Sequence, residues 1–186
     1  MEFEYDVKEN EILLKRCYGT EERIEVPAQI EGMPVTVLAP YIFSQARREP
    51  DQKAAICGNQ VKEIVLPDTV REIGNYAFYG CYYLEALTLS HRTHDIAGGA
   101  FTGCRHLKNL TFRMEQAEGY CMKDVLSEVH HEMKVKLVYP NAVCTLLFPE
   151  YYEEAVENTP ARQLETQFHG SGYSYRQCFQ DGVFQF

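Results

Sequence analysis

The side chains that could do chemistry in this chain are cysteines, histidines and one glycine-serine segment, and their spacing argues against most of that chemistry. Seven cysteines (Cys17, Cys57, Cys81, Cys104, Cys121, Cys144 and Cys178) are spread along 186 residues. None forms the C-x-x-C pair that zinc and dithiol sites use. Their number is odd and no secretory signal precedes them, so reduced thiols packed as small apolar side chains are expected. Cys178 with His169 and a distant acid could supply a nucleophile and its base, which would make a cysteine-dependent hydrolase. No flanking signature accompanies that pair. His130 and His131 are adjacent and would point in different directions on a helix or a strand, so they do not share a metal. Gly170-Ser171-Gly172 resembles part of a phosphate loop but lacks its G-K-[ST] or G-x-x-G continuation. No catalytic residue, metal ligand or cofactor is assigned.

The elements that would position any site have to come from the rest of the sequence. Its composition, 45% hydrophobic and 24% charged, is that of a globular protein with a sizeable core. Acidic residues outnumber basic ones 27 to 18, giving a formal charge of -9. Such a chain has no general attraction to phosphate backbones or anionic membranes, so neither nucleic acid nor a membrane is expected as a partner. No apolar run approaches the roughly 18 residues of a membrane-spanning helix. The acidic start Met1-Glu2-Phe3-Glu4-Tyr5-Asp6 lacks the positive and apolar regions of a signal peptide. A cytoplasmic location is expected, or a surface or secreted one if the chain is a processed fragment.

An internal repeat organises the first part of the chain. Val61–Tyr83 (VKEIVLPDTVREIGNYAFYGCYY) and Leu84–His106 (LEALTLSHRTHDIAGGAFTGCRH) align at an offset of 23 without a gap. Leu66/Leu89, Ile73/Ile96, Ala77/Ala100, Phe78/Phe101, Gly80/Gly103 and Cys81/Cys104 are identical. A third copy opens at Leu107 and loses the pattern after Met114. An irregular earlier copy matches Ile24–Pro27 to Ile64–Pro67, and then matches Val35, Leu38 and Phe43 to Val70, Ile73 and Phe78 at an offset of 35. The excess is a polar insertion near residues 44–58, read as a surface loop. In each unit Ile64 and Leu66 alternate inward from a short strand, and Pro67 follows where a missing N–H is tolerated. Ala77 and Phe78 add core, and Gly80 permits a tight turn. One coil cannot bury its own apolar face, so stacked coils are required.

The pattern LxxIxLPxxVxxIGxxAFxGCxxL, as it stands from Val61 to Leu84, resembles the BspA-like class of bacterial leucine-rich repeats. Ile30–Leu38 resembles the irregular first repeat of that family, and the likeness covers roughly Tyr5 to Phe112. It implies an α/β-type leucine-rich-repeat solenoid, strand-rich and right-handed, whose strand-lined face contacts other proteins. Many relatives are secreted or surface proteins with longer arrays.

Two regions are therefore expected: a solenoid over 1–114 and a C-terminal capping or extension region over 115–186, an α+β cap. Met122, Val125, Leu126 and Val129 have the spacing of an amphipathic helix. Val135 and Leu137, then Val143, Leu146 and Phe148, read as strand–turn–strand around Tyr139–Ala142. Glu150–Asn158 reads as a short acidic helix ending before Pro160.

The outward columns of the strand face are the leading candidate surface: Glu63, Val65, Thr88, Ser90, Asn109, Thr111 and Arg113. They are small, mixed and mostly uncharged, so a partner could cover them without stranding charges. A second candidate surface is aromatic: Tyr151, Tyr152, His169, Tyr173, Tyr175 and Arg176, since Tyr and Arg favour interface hot spots. His91-x-x-His94-Asp95 could offer metal ligands, but it aligns with a loop in which only Asp68 and Glu72 could ligate, so exposed variation is the simpler reading. The expected function is a non-enzymatic protein-interaction or scaffolding module with an unknown protein partner and no evident small-molecule substrate. The alternative is a solenoid that carries a C-terminal functional domain.

Overall fold

A computed structural model describes residues 1–46, 54–56, 60–114, 133–140, 142–148, 151–155, 179–180 and 183–184. The chain begins with a hairpin, β1 (Glu2–Lys8) and β2 (Glu11–Tyr18). Glu9 and Asn10 both adopt positive φ (50° and 64°), as a two-residue type I′ turn requires. β3 (Arg23–Glu25) opens the first coil, and β4 (Gln29–Ile30) pairs back on β5 (Met33–Leu38) around a second such turn at Glu31-Gly32. The regular coils follow: β6 (Glu63–Val65) and β7 (Glu72–Ile73), then β8 (Ala86–Ser90) and β9 (Asp95–Ile96), then β10 (Asn109–Arg113). β11 (Met133–Tyr139), β12 (Ala142–Phe148) and β13 (Tyr151–Ala155) complete the main sheet, while β14 (Phe179–Gln180) pairs only with β15 (Val183–Phe184).

Two sheets wall the solenoid. The first runs β13-β12-β11-β10-β8-β6-β3, and the second runs β1-β2-β5-β7-β9 with β4 on β5. In the first sheet Ile24, Ile64, Leu87, Leu110 and Val135 are consecutive partners in parallel register. In the second, Leu38, Ile73 and Ile96 are consecutive partners. The expected alignments, including the irregular first copy, are thus seen as hydrogen-bonded neighbours. The sheet also continues across position 114, because β11 adds to β10 in parallel and β12 closes on β11 as an antiparallel strand.

Between the sheets the apolar residues of each coil stack on those of the next. The rings of Phe43, Phe78 and Phe101 lie parallel at 5.1 Å steps, and all three are buried. The Cys81 and Cys104 thiols point to the Phe43 and Phe78 carbonyls of the preceding coil, at 3.9 and 3.3 Å. Tyr41, Tyr76 and Gly99 occupy one turn position in three successive coils, each at positive φ (60°, 58° and 75°). Tyr41 and Tyr76 stack at 5.2 Å, and any side chain on Gly99 would collide with the Tyr76 ring.

Several expectations are corrected. Among the described residues there is no helix, so the coil is not of the α/β type. The return segment between β6 and β8 carries Pro67, Gly74 and Gly80, all poor helix formers, and spends its length on turns and β7. Where the acidic helix is expected over 150–158, the described residues Tyr151–Ala155 form β13 instead, with Tyr-Tyr of strand propensity and the edge of β12 as a pairing partner; the remainder of that stretch lies outside the described residues. These findings leave the C-terminal α+β cap without support; the helix expected around Met122–Val129 lies outside the described residues. The 44–58 insertion is not wholly a surface loop. Ser44, Ala55 and Ile56 are buried, and the Ile56 N–H donates to the Cys17 carbonyl at 2.8 Å. The N-terminal hairpin was not anticipated. Its β2 strand buries Ile12, Leu14 and Cys17, and the buried Arg16 guanidinium donates to the Tyr41 and Ser44 carbonyls, closing the first coil.

Removing the central ring of the phenylalanine stack leaves a cavity flanked by two intact rings. Phe78→Ala is expected to cost about 3–5 kcal/mol of unfolding free energy, read by urea denaturation.

Candidate interaction surface

Because strands one coil apart pair directly, side chains at one register position form columns on the open face of the first sheet. One column is Arg23, Glu63, Ala86, Asn109 and Lys134, and the next is Glu25, Val65, Thr88, Thr111 and Lys136. All ten are exposed or half-exposed, while the alternating positions Ile24, Ile64, Leu87, Leu110 and Val135 are buried. Glu63, Val65, Thr88, Asn109 and Thr111 therefore share one surface. Sequence reasoning missed the last row, Lys134 and Lys136, because β11 pairs with β10 at an offset of 25 instead of 23.

The face is graded in charge. Glu22, Glu25 and Glu63 gather at the β3–β6 end, where Arg23 bridges to Glu63 (3.3 Å) and Glu25 (3.8 Å). Lys62 reaches Glu22 at 3.0 Å, and the hydrogen bond and charge of that carboxylate raise the lysine pKa above its ordinary value. The β10–β11 end carries Asn109, Lys134 and Lys136. The middle, Val65, Ala86, Thr88 and Thr111, carries no charge.

Two residues expected on this face behave differently. Ser90 is fully buried, and its hydroxyl accepts from the Arg92 N–H at 3.2 Å. Arg113, the register partner of Ser90, reaches back past β8 to donate to the Leu66 carbonyl and to Asp68 at 2.9 Å. Arg113 is thus a strap across three coils, and Ser90 lies beneath its path. Of the aromatic surface, Tyr151 and Tyr152 fall in β13, and His169, Tyr173, Tyr175 and Arg176 lie outside the described residues. Cys178 and the Gly170–Gly172 segment lie outside them too. Cys17, Cys81 and Cys104 are buried. Among the described residues no three of His, Cys, Asp and Glu come together as metal ligands.

These features define a leucine-rich-repeat solenoid of about four turns. Residues 52–141 match a family model described as a BspA type leucine rich repeat region with six copies. The comparison with curated proteins finds no match. Among solved structures, the chain is similar to the T. pallidum leucine rich repeat protein TpLRR, at 26% identity and a TM-score of 0.51 over 61% of this chain and 51% of that one. It is also similar to a leucine rich cell surface protein from Faecalibacterium prausnitzii A2-165, at 24% identity and a TM-score of 0.45 over 62% of this chain and 31% of that one. The chain matches about half the length of the first and less of the second. The expected cytoplasmic location finds no support in these relatives.

The strap assignment has a measurable consequence. Arg113→Ala is expected to lower unfolding free energy by about 1 kcal/mol, because one charge-assisted bond to a carbonyl is lost while the Asp68 pair is largely solvent-screened. Unchanged stability in urea denaturation would show that Arg113 does not hold the coils together.

Proposed function

We propose that the chain is a non-enzymatic protein-binding module whose contact surface is the open face of the first sheet. The observation that carries this reading is the uncharged strip Val65, Ala86, Thr88 and Thr111, aligned across successive parallel strands and flanked by acidic and basic ends. A partner can cover such a strip without burying unpaired charge, which would cost several kcal/mol per ion. The charged flanks would set its orientation and speed its approach more than they would add affinity. The sheet is a rigid platform, so little ordering entropy is lost on binding.

Leucine-rich-repeat relatives are consistent with an interaction role, and the strand face is the region where small side chains leave room for a partner backbone. The site is Glu63, Val65, Thr88, Asn109 and Thr111, extended to Lys134 and Lys136. Ser90 and Arg113 act beneath or beside it as structure. Tyr151, Tyr152, His169, Tyr173, Tyr175 and Arg176 remain a second proposed surface, which rests on their residue types alone.

Thr88→Arg with Thr111→Arg places two long cations in the middle of the strip without touching the core. The double variant is expected to keep its melting temperature and to bind any protein partner of the wild-type chain at least about tenfold more weakly, a loss of about 1.4 kcal/mol. Undiminished binding, measured by surface plasmon resonance on the purified pair, would remove the strand face from the proposal.

A further inference from the structure

A second surface lies on the turns that lead into β8 and β10, and it does not depend on the strand-face reading. Among the described residues, three of the five large apolar side chains that stay exposed are tyrosines of one turn, Tyr76, Tyr82 and Tyr83. Single exposed apolar residues need no explanation, but a cluster of them marks an interaction site. The cluster is also set apart in charge. The chain has 27 acidic residues, yet none falls within 73–84 or 96–108, where the cations Arg105 and Lys108 stand. Glu72 and Asp95, just before these stretches, belong to the second sheet. Glu85, just after the first, sits in a row between two lysines: its N–H donates to the Lys62 carbonyl at 2.7 Å, and its carbonyl accepts from the Lys108 N–H at 3.0 Å.

The rings are held in place by the stacking of coils. Tyr83 lies parallel to His106 of the next coil, with centroids 5.9 Å apart, and His106 Nδ1 donates to the Tyr82 carbonyl. The Arg105 guanidinium lies over the Tyr82 ring, 5.8 Å from its centroid. That ring also rests against the tight turn of the next coil, since a Cβ at Gly103 would stand 3.6 Å from it. Tyr76 is fixed between Tyr41 at 5.2 Å and the edge of Tyr79 at 5.6 Å. Rings fixed in this way lose little rotamer freedom when a partner covers them. Among the described residues, Arg105 has no carboxylate partner, and the Tyr82 and Tyr83 hydroxyls have no hydrogen-bond partner.

We propose that Tyr82, Tyr83, Arg105 and His106 form a docking surface for an acidic, extended segment of a partner protein. Charge complementarity selects the acidic segment: its carboxylates would accept from Arg105 and the tyrosine hydroxyls, while its apolar groups lie on the rings. Tyrosine and arginine are also the side chains that dominate protein interfaces. A single-stranded nucleic acid would use the same rings and guanidinium. However, a chain of formal charge -9 repels a polyanion along its whole length, and a short acidic segment only through a few charges.

The test is titration of the ¹⁵N-labelled full chain with a short synthetic peptide of alternating Glu and Pro, which is acidic and extended, followed by amide chemical shifts. The same peptide with Gln for Glu, and an oligothymidylate of equal length, serve as comparisons at constant ionic strength. The acidic peptide should shift the amides of residues 79–85 and 102–108 with a Kd of about 1 mM or tighter, and the Gln peptide should bind at least about fivefold more weakly. Arg105→Glu, at an exposed position, should weaken the acidic peptide at least about fivefold with the melting temperature unchanged. Tyr82→Ser with Tyr83→Ser should do the same through loss of the rings, and Arg105→Glu decides the matter if that double variant melts early. No binding up to about 5 mM peptide overturns the proposal. So do equal binding of the Gln peptide, shifts confined to the amides around Lys134 and Lys136, and tighter binding of the oligothymidylate, which would mark a nucleic-acid surface instead.

Discussion

The stacking of one coil's apolar side chains on those of the next is the interaction from which the other features of this protein follow. A single coil holds only a handful of apolar residues and leaves both of its flat sides open. Phe78 is buried because Phe43 and Phe101 cover its two faces at 5.1 Å, and Ile64 is buried among its register partners Ile24 and Leu87. The array must then be closed at its ends. At the start this is done by the β1–β2 hairpin and the buried Arg16, whose guanidinium satisfies carbonyls of the first turn. Along the main sheet, growth by parallel strands stops where β12 turns back on β11.

The same stacking organises the surface. Strict register turns a position in one repeat into a column down the whole face, so a single outward residue type per coil becomes a stripe. Small residues at three of these positions give the uncharged strip of Val65, Thr88 and Thr111, and lysines in the last row give its basic end. On the adjoining turn the repeat places Arg71 and His94 one above the other, the His94 N–H donating to the Arg71 carbonyl. A repeat protein acquires sites by varying one position in adjacent coils, and the proposed strand-face site has that origin.

Features generated by local periodicity were legible in the sequence. The 23-residue offset, the irregular first copy and the strand–turn–strand after residue 133 all follow from apolar spacing, and they appear as register partners. Features generated by contacts distant in sequence were not. Ser90 looked like an outward position because it alternates with Leu89, but it is buried alongside Arg113, a side chain that spans 47 residues to Leu66. The hairpin escaped because its turn is Glu-Asn, without the glycine that marks most type I′ turns. Tyr151–Ala155 was read as helical from its acidic residues, when the free edge of β12 decided its conformation. Arg71 gave no local hint of its ion pair, since its partner Glu11 lies 60 residues away.

One continuous sheet, and hence one face, runs from β3 to β11. Native-state amide hydrogen exchange tests it most directly. The account predicts that the hydrogen-bonded amides of β8, β10 and β11 are all strongly protected, and that β11 shares the slow exchange of β10 because β12 covers its far edge. Amides of β11 exchanging at open-chain rates while those of β8 stay protected would contradict it, and would end the solenoid at β10.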